Sequence, residues 1–257
     1  MGGDSNKSGR RQKLAAVIGA RESRPPPEAR RQPRSDKTSE ESPTVRILVA
    51  DDHEVVRRGI RSLLEAESGW QVCGEAITGR EAIEKARQLT PDVAIVDIGM
   101  PELNGLDATR RIRKEVPQSE VLILTMHESE QVVREVLDAG ARGYVLKSDA
   151  GRDLVTAVEA VRKHKSFFTS RVAEMVLSGY LTGGTEPPPT RPSRLTGRER
   201  EIVQLLAEGK SNKEVASALG ISVKTAETHR TNILRKLDLH SISEVVRYAI
   251  RNKMIEP

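Results

Sequence analysis

The sequence predicts an α/β fold, a doubly wound five-stranded parallel sheet, followed by a small all-α unit. Three observations predict it. Across residues 45–165, short apolar runs alternate five times with stretches of helical spacing, the order of a parallel sheet with crossover helices. The run Val93-Ala94-Ile95-Val96 has no polar alternation, as a strand covered on both faces requires. Across residues 195–257 the apolar spacing is helical only, and each segment opens on Ser or Thr.

Taken in order, Arg46 to Ala50 is the first strand, ending in Asp51-Asp52. His53 to Glu67 has helical spacing through Val56, Ile60, Leu63 and Leu64. Trp70 to Ala76 is the second strand, and the helix from Gly79 to Leu89 stops before Pro91. Val93 to Asp97 is the third strand, and the helix from Leu106 to Val116 stops before Pro117. Val121 to Thr125 is the fourth, with a helix from Ser129 to Ala139 closed by Gly140. Gly143 to Lys147 is the fifth, and Arg152 to Arg162 the helix after it.

Residues 1–44 are rich in Arg, Pro, Ser and Gly without sustained periodicity, which predicts a disordered basic tail. The apolar stretch after Arg10-Arg11 is short for an export signal, and no cleavage site follows it, so none is expected. Residues 166–194 contain Gly183-Gly184 and Pro187-Pro188-Pro189 and are expected to be a linker. The four C-terminal helices open on Thr196, Ser211, Ser222 and Ser241. Three of these match a capping box, with Glu199, Glu214 and Glu244 three residues on.

The formal charge of +5 is unevenly spread. Residues 1–44 carry +4 (10 basic, 6 acidic), residues 45–165 carry −3 (18 and 21), and residues 166–257 carry +4 (14 and 10). An acidic middle and a basic end predict two units with different partners, the second a polyanion. One cysteine, Cys73, rules out an internal disulfide and fits a reducing cytoplasm; its apolar run makes it a small buried hydrophobe. No apolar run approaches membrane-spanning length, so a cytoplasmic protein without a membrane partner is expected.

In an open α/β sheet, ligands bind at the carboxyl ends of the strands. Those ends carry Asp51 and Asp52, Asp97, Thr125 and Lys147. One strand-end Asp is commonly a turn former, but five such residues at successive strand ends form a set. Three carboxylates brought together require a counter-charge. A hard divalent ion, Mg²⁺, supplies it, and Asp97 is then a nucleophile for phosphoryl transfer, with Lys147 as cation and Thr125 as hydroxyl donor. His53 is expected only to start a helix, and His127 to lie on a loop surface; neither has transition-metal spacing.

In the helix after Ser222, Ala226, His229, Ile233 and Leu237 form the core face. The other side carries Lys224, Thr225, Glu227, Thr228, Arg230, Thr231 and Arg235, small polar groups flanked by cations, as a helix in a major groove requires. A solvated helix face has the same charge pattern.

The stretches ILVADDHEVVRRGI, PDVAIVDIGMPELNGLD, ILTMHESE and AGARGYVLKSD resemble a response-regulator receiver domain of the flavodoxin/CheY-like fold throughout residues 45–165. The resemblance implies that Asp97 is the phosphoacceptor, that Asp51, Asp52, Asp97 and the Gly99 carbonyl bind Mg²⁺, and that Lys147 and Thr125 contact the phosphoryl group. It makes Tyr144 a switch residue that turns inward as Thr125 moves. Ser148 stands where many receivers have proline. The stretch LTGREREIVQLLAEGKSNKEVASALGISVKTAETHRTNILRKLDLHS resembles the LuxR/NarL-type helix-turn-helix domain, with Ala226 where that family usually has valine.

Together they imply a two-component transcriptional regulator of NarL/FixJ type. A sensor histidine kinase would be the donor and double-stranded promoter DNA the target, with a homodimer formed through the last helix. Its catalysis would be limited to its own phosphotransfer and dephosphorylation. Two alternatives stay open at this point: a phosphorylation-independent transcription factor with a docking module, and a hydrolase with an aspartyl-phosphate intermediate.

Overall fold

The structure, a computed structural model, describes residues 44–126, 128–169, 172–174 and 195–255. The basic tail before Thr44, His127 and most of the expected linker lie outside the described residues. The strands β1 (Val45–Ala50), β2 (Trp70–Ala76), β3 (Val93–Asp97), β4 (Glu120–Thr125) and β5 (Gly143–Leu146) form one parallel sheet in the order β2-β1-β3-β4-β5. The helices between and after them are α1 (Glu54–Glu65), α2 (Gly79–Leu89), α3 (Gly105–Glu115), α4 (Glu130–Asp138) and α5 (Ala150–Arg162).

The pleat sends alternate residues to opposite faces, and both faces are covered. Leu48, Ala94, Val96, Val121, Ile123 and Tyr144 pack with α2, α3 and α4 through Ala82, Ile83, Ile112, Val132 and Val136. Ile47, Val49, Val93, Ile95, Leu122, Leu124 and Val145 pack with α1 and α5 through Ile60, Leu64, Leu154, Val158 and Val161. Double coverage is why VAIV carries no polar alternation. The strand order reverses direction between β1 and β3, so a crevice opens at their carboxyl ends.

Several details differ from the sequence reading. Cys73 is half-buried, because β1 and β2 shift register between Ile47–Val72 and Leu48–Gly74 and leave Cys73 as the extra residue on an edge strand. Burial still raises its thiol pKa. Strand β5 ends at Leu146, and Lys147 opens a single 3₁₀ turn, Lys147–Asp149. The span read as linker begins with residues that lie along β5: the Tyr144 N–H donates to the Phe167 carbonyl at 3.0 Å and the Phe167 N–H to the Arg142 carbonyl at 3.1 Å.

The helical unit contains α6 (Gly197–Ala207), α7 (Asn212–Leu219), α8 (Val223–Leu237) and α9 (Ile242–Arg251) around a core of Ile202, Leu205, Leu206, Val215, Ala226, Ile233, Val245 and Ala249. Full capping boxes form at Thr196/Glu199 and Ser211/Glu214. The third is half-made: Ser241 accepts from the Glu244 N–H, but the Glu244 carboxylate takes the His240 N–H instead of that of Ser241.

Helix α6 also docks on the α/β unit. Its Glu201 is fully buried and meets Arg198 at 3.0 Å, Arg80 of α2 at 3.1 Å, and Arg111 of α3. Arg200 grips Asp107 of α3 through contacts of 2.6 to 3.0 Å.

Gly105 opens α3 hard against the end of β3. A Cβ there would lie 1.8 Å from the Asp97 carbonyl oxygen, an impossible contact with backbone. Gly105→Ala therefore forces α3 away from Asp97. An expected loss of about 1–3 kcal/mol is readable by urea unfolding, and unchanged stability would contradict this packing.

Candidate functional site

Each acid is placed by backbone geometry at a strand end. Asp97 is the last residue of β3 and is 3% exposed. Asp51 follows β1, its N–H bonded to the Ala76 carbonyl at 3.0 Å, and it too is buried. Asp52 is exposed beside it. One carboxylate oxygen from each of Asp51, Asp52 and Asp97, with one His53 ring nitrogen, lies within 4.8 Å of all the others.

Lys147 enters from the turn after β5. Its Nζ donates to Asp97 Oδ2 at 2.8 Å and lies 2.8 Å from Asp51 Oδ2. Burial pushes the Asp97 carboxyl up to about 6; Lys147 opposes that shift, and Asp51 and Asp52 add to it. For Lys147, burial acts to lower the pKa, but Asp97 and Asp51 outweigh it and hold the ammonium above its ordinary value. Three carboxylates drawn together offer hard oxygen donors and form an acidic pocket compatible with Mg²⁺.

Thr125 is the last residue of β4 and is buried; its neighbour Leu124 pairs with Asp97, which puts Thr125 at the same edge. Tyr144 lies one strand further, paired with Ile123, and is fully buried on the α4 side of the sheet, so the inward position expected only after Thr125 moves is already taken. Burial, and then Glu128, pushes its phenol up to about 12. Gly99 sits in the bend after β3, where the Gly105 N–H bonds the Ile98 carbonyl at 2.9 Å.

His53 fills the N-cap position of α1 without a side-chain capping bond, as a helix-start residue does not need one. The reading from sequence missed its proximity to the acids: its Nδ1 lies 2.8 Å from Asp52 Oδ1. Adjacency to the Asp pair was the only signal for it.

In the helical unit, Gly220 closes α7 in the left-handed conformation at φ 62°, and Ser222 caps α8 by accepting the Thr225 N–H. Ala226 and Ile233 are buried, and His229 and Leu237 partly so, as their spacing predicts. Lys224, Thr225, Thr228, Thr231 and Arg235 are exposed, and Glu227 and Arg230 half-buried. The Thr228 and Thr231 hydroxyls donate to the carbonyls of Lys224 and Glu227, so they present their lone pairs outward. Of the apolar stripe on α9, Val245 and Ala249 are buried in the unit's own core, whereas Ile242 is exposed and Val246 and Ile250 are half-buried.

Residues 47–159 match the response regulator receiver domain, and residues 193–249 match the bacterial regulatory proteins of the luxR family. The transcriptional regulatory protein MctR of Rhizobium johnstonii is 36% identical over 215 residues, covering 84% of this chain and 97% of MctR. The transcriptional regulatory protein LiaR of Bacillus subtilis is 39% identical over 211 residues, covering 82% of this chain and 99% of LiaR. Among solved structures, RcsB from Salmonella enterica serovar Typhimurium, bound to promoter rprA in the presence of the phosphomimetic BeF₃⁻, superposes with a TM-score of 0.52. It is 27% identical and covers 80% of this chain and 98% of RcsB. Among the described residues no helix is long and apolar enough to cross a membrane. This chain belongs to the response regulators of NarL/FixJ type, with a receiver domain and a LuxR-type DNA-binding domain.

Proposed function

We propose that this protein is a phosphorylation-dependent transcriptional regulator that accepts a phosphoryl group on Asp97 from a histidine kinase and answers by pairing on promoter DNA. The observation that carries this reading is the convergence of Asp51, Asp52 and Asp97 on one point, with Lys147 2.8 Å from the two buried acids Asp51 and Asp97. We assign the receiver to residues 45–165, the linker to 166–194 and the DNA-binding domain to 195–257.

An Asp97 carboxylate oxygen forms the new bond to phosphorus. The bond from phosphorus to the donor's imidazole nitrogen breaks, and its electron pair leaves with the imidazole. Asp51, Asp52, Asp97 and the Gly99 carbonyl would hold Mg²⁺, which when bound neutralises charge on the transferring oxygens. Lys147 already faces the acceptor and moves its charge onto the phosphoryl oxygens. Thr125 donates its hydroxyl to one of them, and Tyr144, already inward, closes into the space that Thr125 vacates.

At the output end, Thr225, Glu227, Thr228 and Thr231 are offered to base edges, while Lys224, Arg230 and Arg235 hold phosphates. The α9 residues left over from the domain's own core, Ile242, Val246 and Ile250, supply the homodimer contact. The relative RcsB, solved on a promoter with a phosphomimetic, supports the same pairing of functions here.

The test is DNA affinity with and without a small phosphodonor. We expect tighter binding to a two-fold site after phosphorylation; equal affinity in both states would leave the receiver as a docking module only. On the DNA side, Thr231→Ala is expected to change base preference by about 1–3 kcal/mol at one position. Lys224→Ala is expected to weaken all sequences alike and lower the salt slope by about one. Identical behaviour of the two variants on every sequence would show that the reading face is misassigned.

A further inference from the structure

The loop between β3 and α3 is built from two sides. Below, Ile98, Met100 and Leu103 are buried in the receiver core. Above, its backbone polar groups are met by α6 of the DNA-binding domain. The buried Gln204 side chain donates from Nε2 to the Met100 carbonyl at 3.0 Å and accepts the Asn104 N–H on Oε1 at 2.8 Å. The same Nε2 donates to Glu208 Oε1 at 2.9 Å, and that oxygen also accepts the Glu102 N–H at 3.0 Å. Glu102 is in the left-handed region at φ 65°, a conformation that a non-glycine residue keeps only when its surroundings hold it.

One carboxamide and one carboxylate from the output domain thus fix three backbone groups of a loop that begins at Asp97. Met100 is the residue next to Gly99, whose carbonyl belongs to the ion site in the reading above. The peptide plane between Gly99 and Met100 is tied on its near side by the Met100 N–H, which donates to the Ile98 carbonyl at 3.0 Å, and Gln204 holds the Met100 carbonyl on the far side, so only the two soft dihedrals of Met100 lie between these two bonds. The acids are already convergent while this grip is made. The docked arrangement is therefore one in which the ion site is assembled.

We propose that Gln204, supported by Glu208, is a positioning residue for the chemistry at Asp97: the DNA-binding domain supplies the outer support of the receiver's divalent-cation site. The inference rests on the reading of Asp97, Asp51 and Asp52 as that site. Outer partners that orient metal ligands change metal affinity by about 10–100-fold when removed. The reach through one intervening residue puts Gln204 at the lower end of that range. Occupancy of the cation site and docking of α6 then favour each other, since the coupling between two sites is reciprocal.

The experiment is Mg²⁺ titration by calorimetry on the full-length, unphosphorylated chain, with phosphoramidate labelling against Mg²⁺ concentration as a second readout. Gln204→Ala is expected to raise the Mg²⁺ Kd, and the Mg²⁺ needed for half-maximal labelling, by about tenfold. The labelling rate at saturating Mg²⁺ stays within about twofold, a split that general loosening of the fold would not give. Gln204→Glu should fall with Gln204→Ala, because a carboxylate can accept the Asn104 N–H but cannot donate to Met100. Glu208→Ala should shift the Kd in the same direction by a smaller factor. A Kd for Gln204→Ala that is unchanged or lower, in a wild-type chain that is labelled, overturns this proposal alone. A wild-type chain that is not labelled at all overturns the site reading beneath it.

Discussion

Asp97→Asn is expected to abolish labelling by a small phosphodonor in Mg²⁺, because the amide is not a nucleophile at phosphorus and no other group at the site replaces it. Asp51 is the nearest alternative, and Lys147 stands between it and Asp97 at 2.8 Å from each. Mass spectrometry of the intact chain reads the result. Full-extent labelling of the variant would remove Asp97 from its role.

The same substitution carries a thermodynamic signature. Burial pushes the Asp97 carboxyl up to about 6, from 3.8 in the unfolded chain. Between those values the folded state binds more protons than the unfolded state, so this group's contribution to stability is lost as pH rises. Asn does not titrate. In the absence of metal, Asp97→Asn should therefore gain on the wild type by ~2–3 kcal/mol between pH 4 and pH 7. Urea unfolding in chelator at the two pH values measures it. A difference that is flat with pH, or that falls as pH rises, would contradict the electrostatics of the site.

Glu201→Ala is expected to undock the two domains. In the native chain one fully buried carboxylate stands against Arg80, Arg111 and Arg198. Burial, then the charge of Arg80, already lowers the pKa of Arg111. Burial followed by Arg80 and Arg111 does the same to Arg198. Removing the carboxylate leaves three cations facing one another, and breaking a fully buried ion pair costs about 3–5 kcal/mol. Here the arginines keep 27% to 37% of their side-chain surface in water, so they can swing out and relieve part of it. What is lost is docking: about 1–3 kcal/mol, or roughly 5–150-fold in the ratio of docked to undocked molecules. X-ray scattering should show a larger radius of gyration, and amide exchange should quicken in residues 98–104. Glu201→Gln should act in the same direction with a smaller effect. Unchanged scattering and exchange in both variants would mean that the cluster does not hold the domains together.

The placement of the candidate site's residues was legible in the sequence wherever they end apolar strands. Asp51, Asp97 and Thr125 each follow a run that only a buried strand explains, so local pattern alone placed them at one edge. Lys147 was placed one residue too far inside β5, because a 3₁₀ turn continues the chain without breaking its pattern. Ser241/Glu244 has the spacing of a reciprocal cap, but His240 N–H competes for the same carboxylate. The docking contacts left no local trace. Glu201 and Gln204 lie on the polar side of a helix whose apolar face is Ile202, Leu205 and Leu206, the side that would ordinarily face water. Their partners are about a hundred residues away in sequence, and no spacing rule connects α6 to a loop in another domain.

The face of helix α8 proposed above to read DNA is open while α6 is docked: Lys224 has 88% of its side-chain surface exposed, and Thr225, Thr228, Thr231 and Arg235 are exposed with it. Uncovering that face is then not the step that phosphate has to perform. On that proposal each chain can touch a half-site whether or not it is phosphorylated, and the gain expected on phosphorylation comes from avidity. Once two chains are joined, the second half-site is met at a high effective concentration instead of from bulk solution, which is worth about 10²–10⁴-fold without a single new contact to DNA. On that reading the unphosphorylated chain should scan DNA continuously, and the regulatory decision would be how long two such chains stay together.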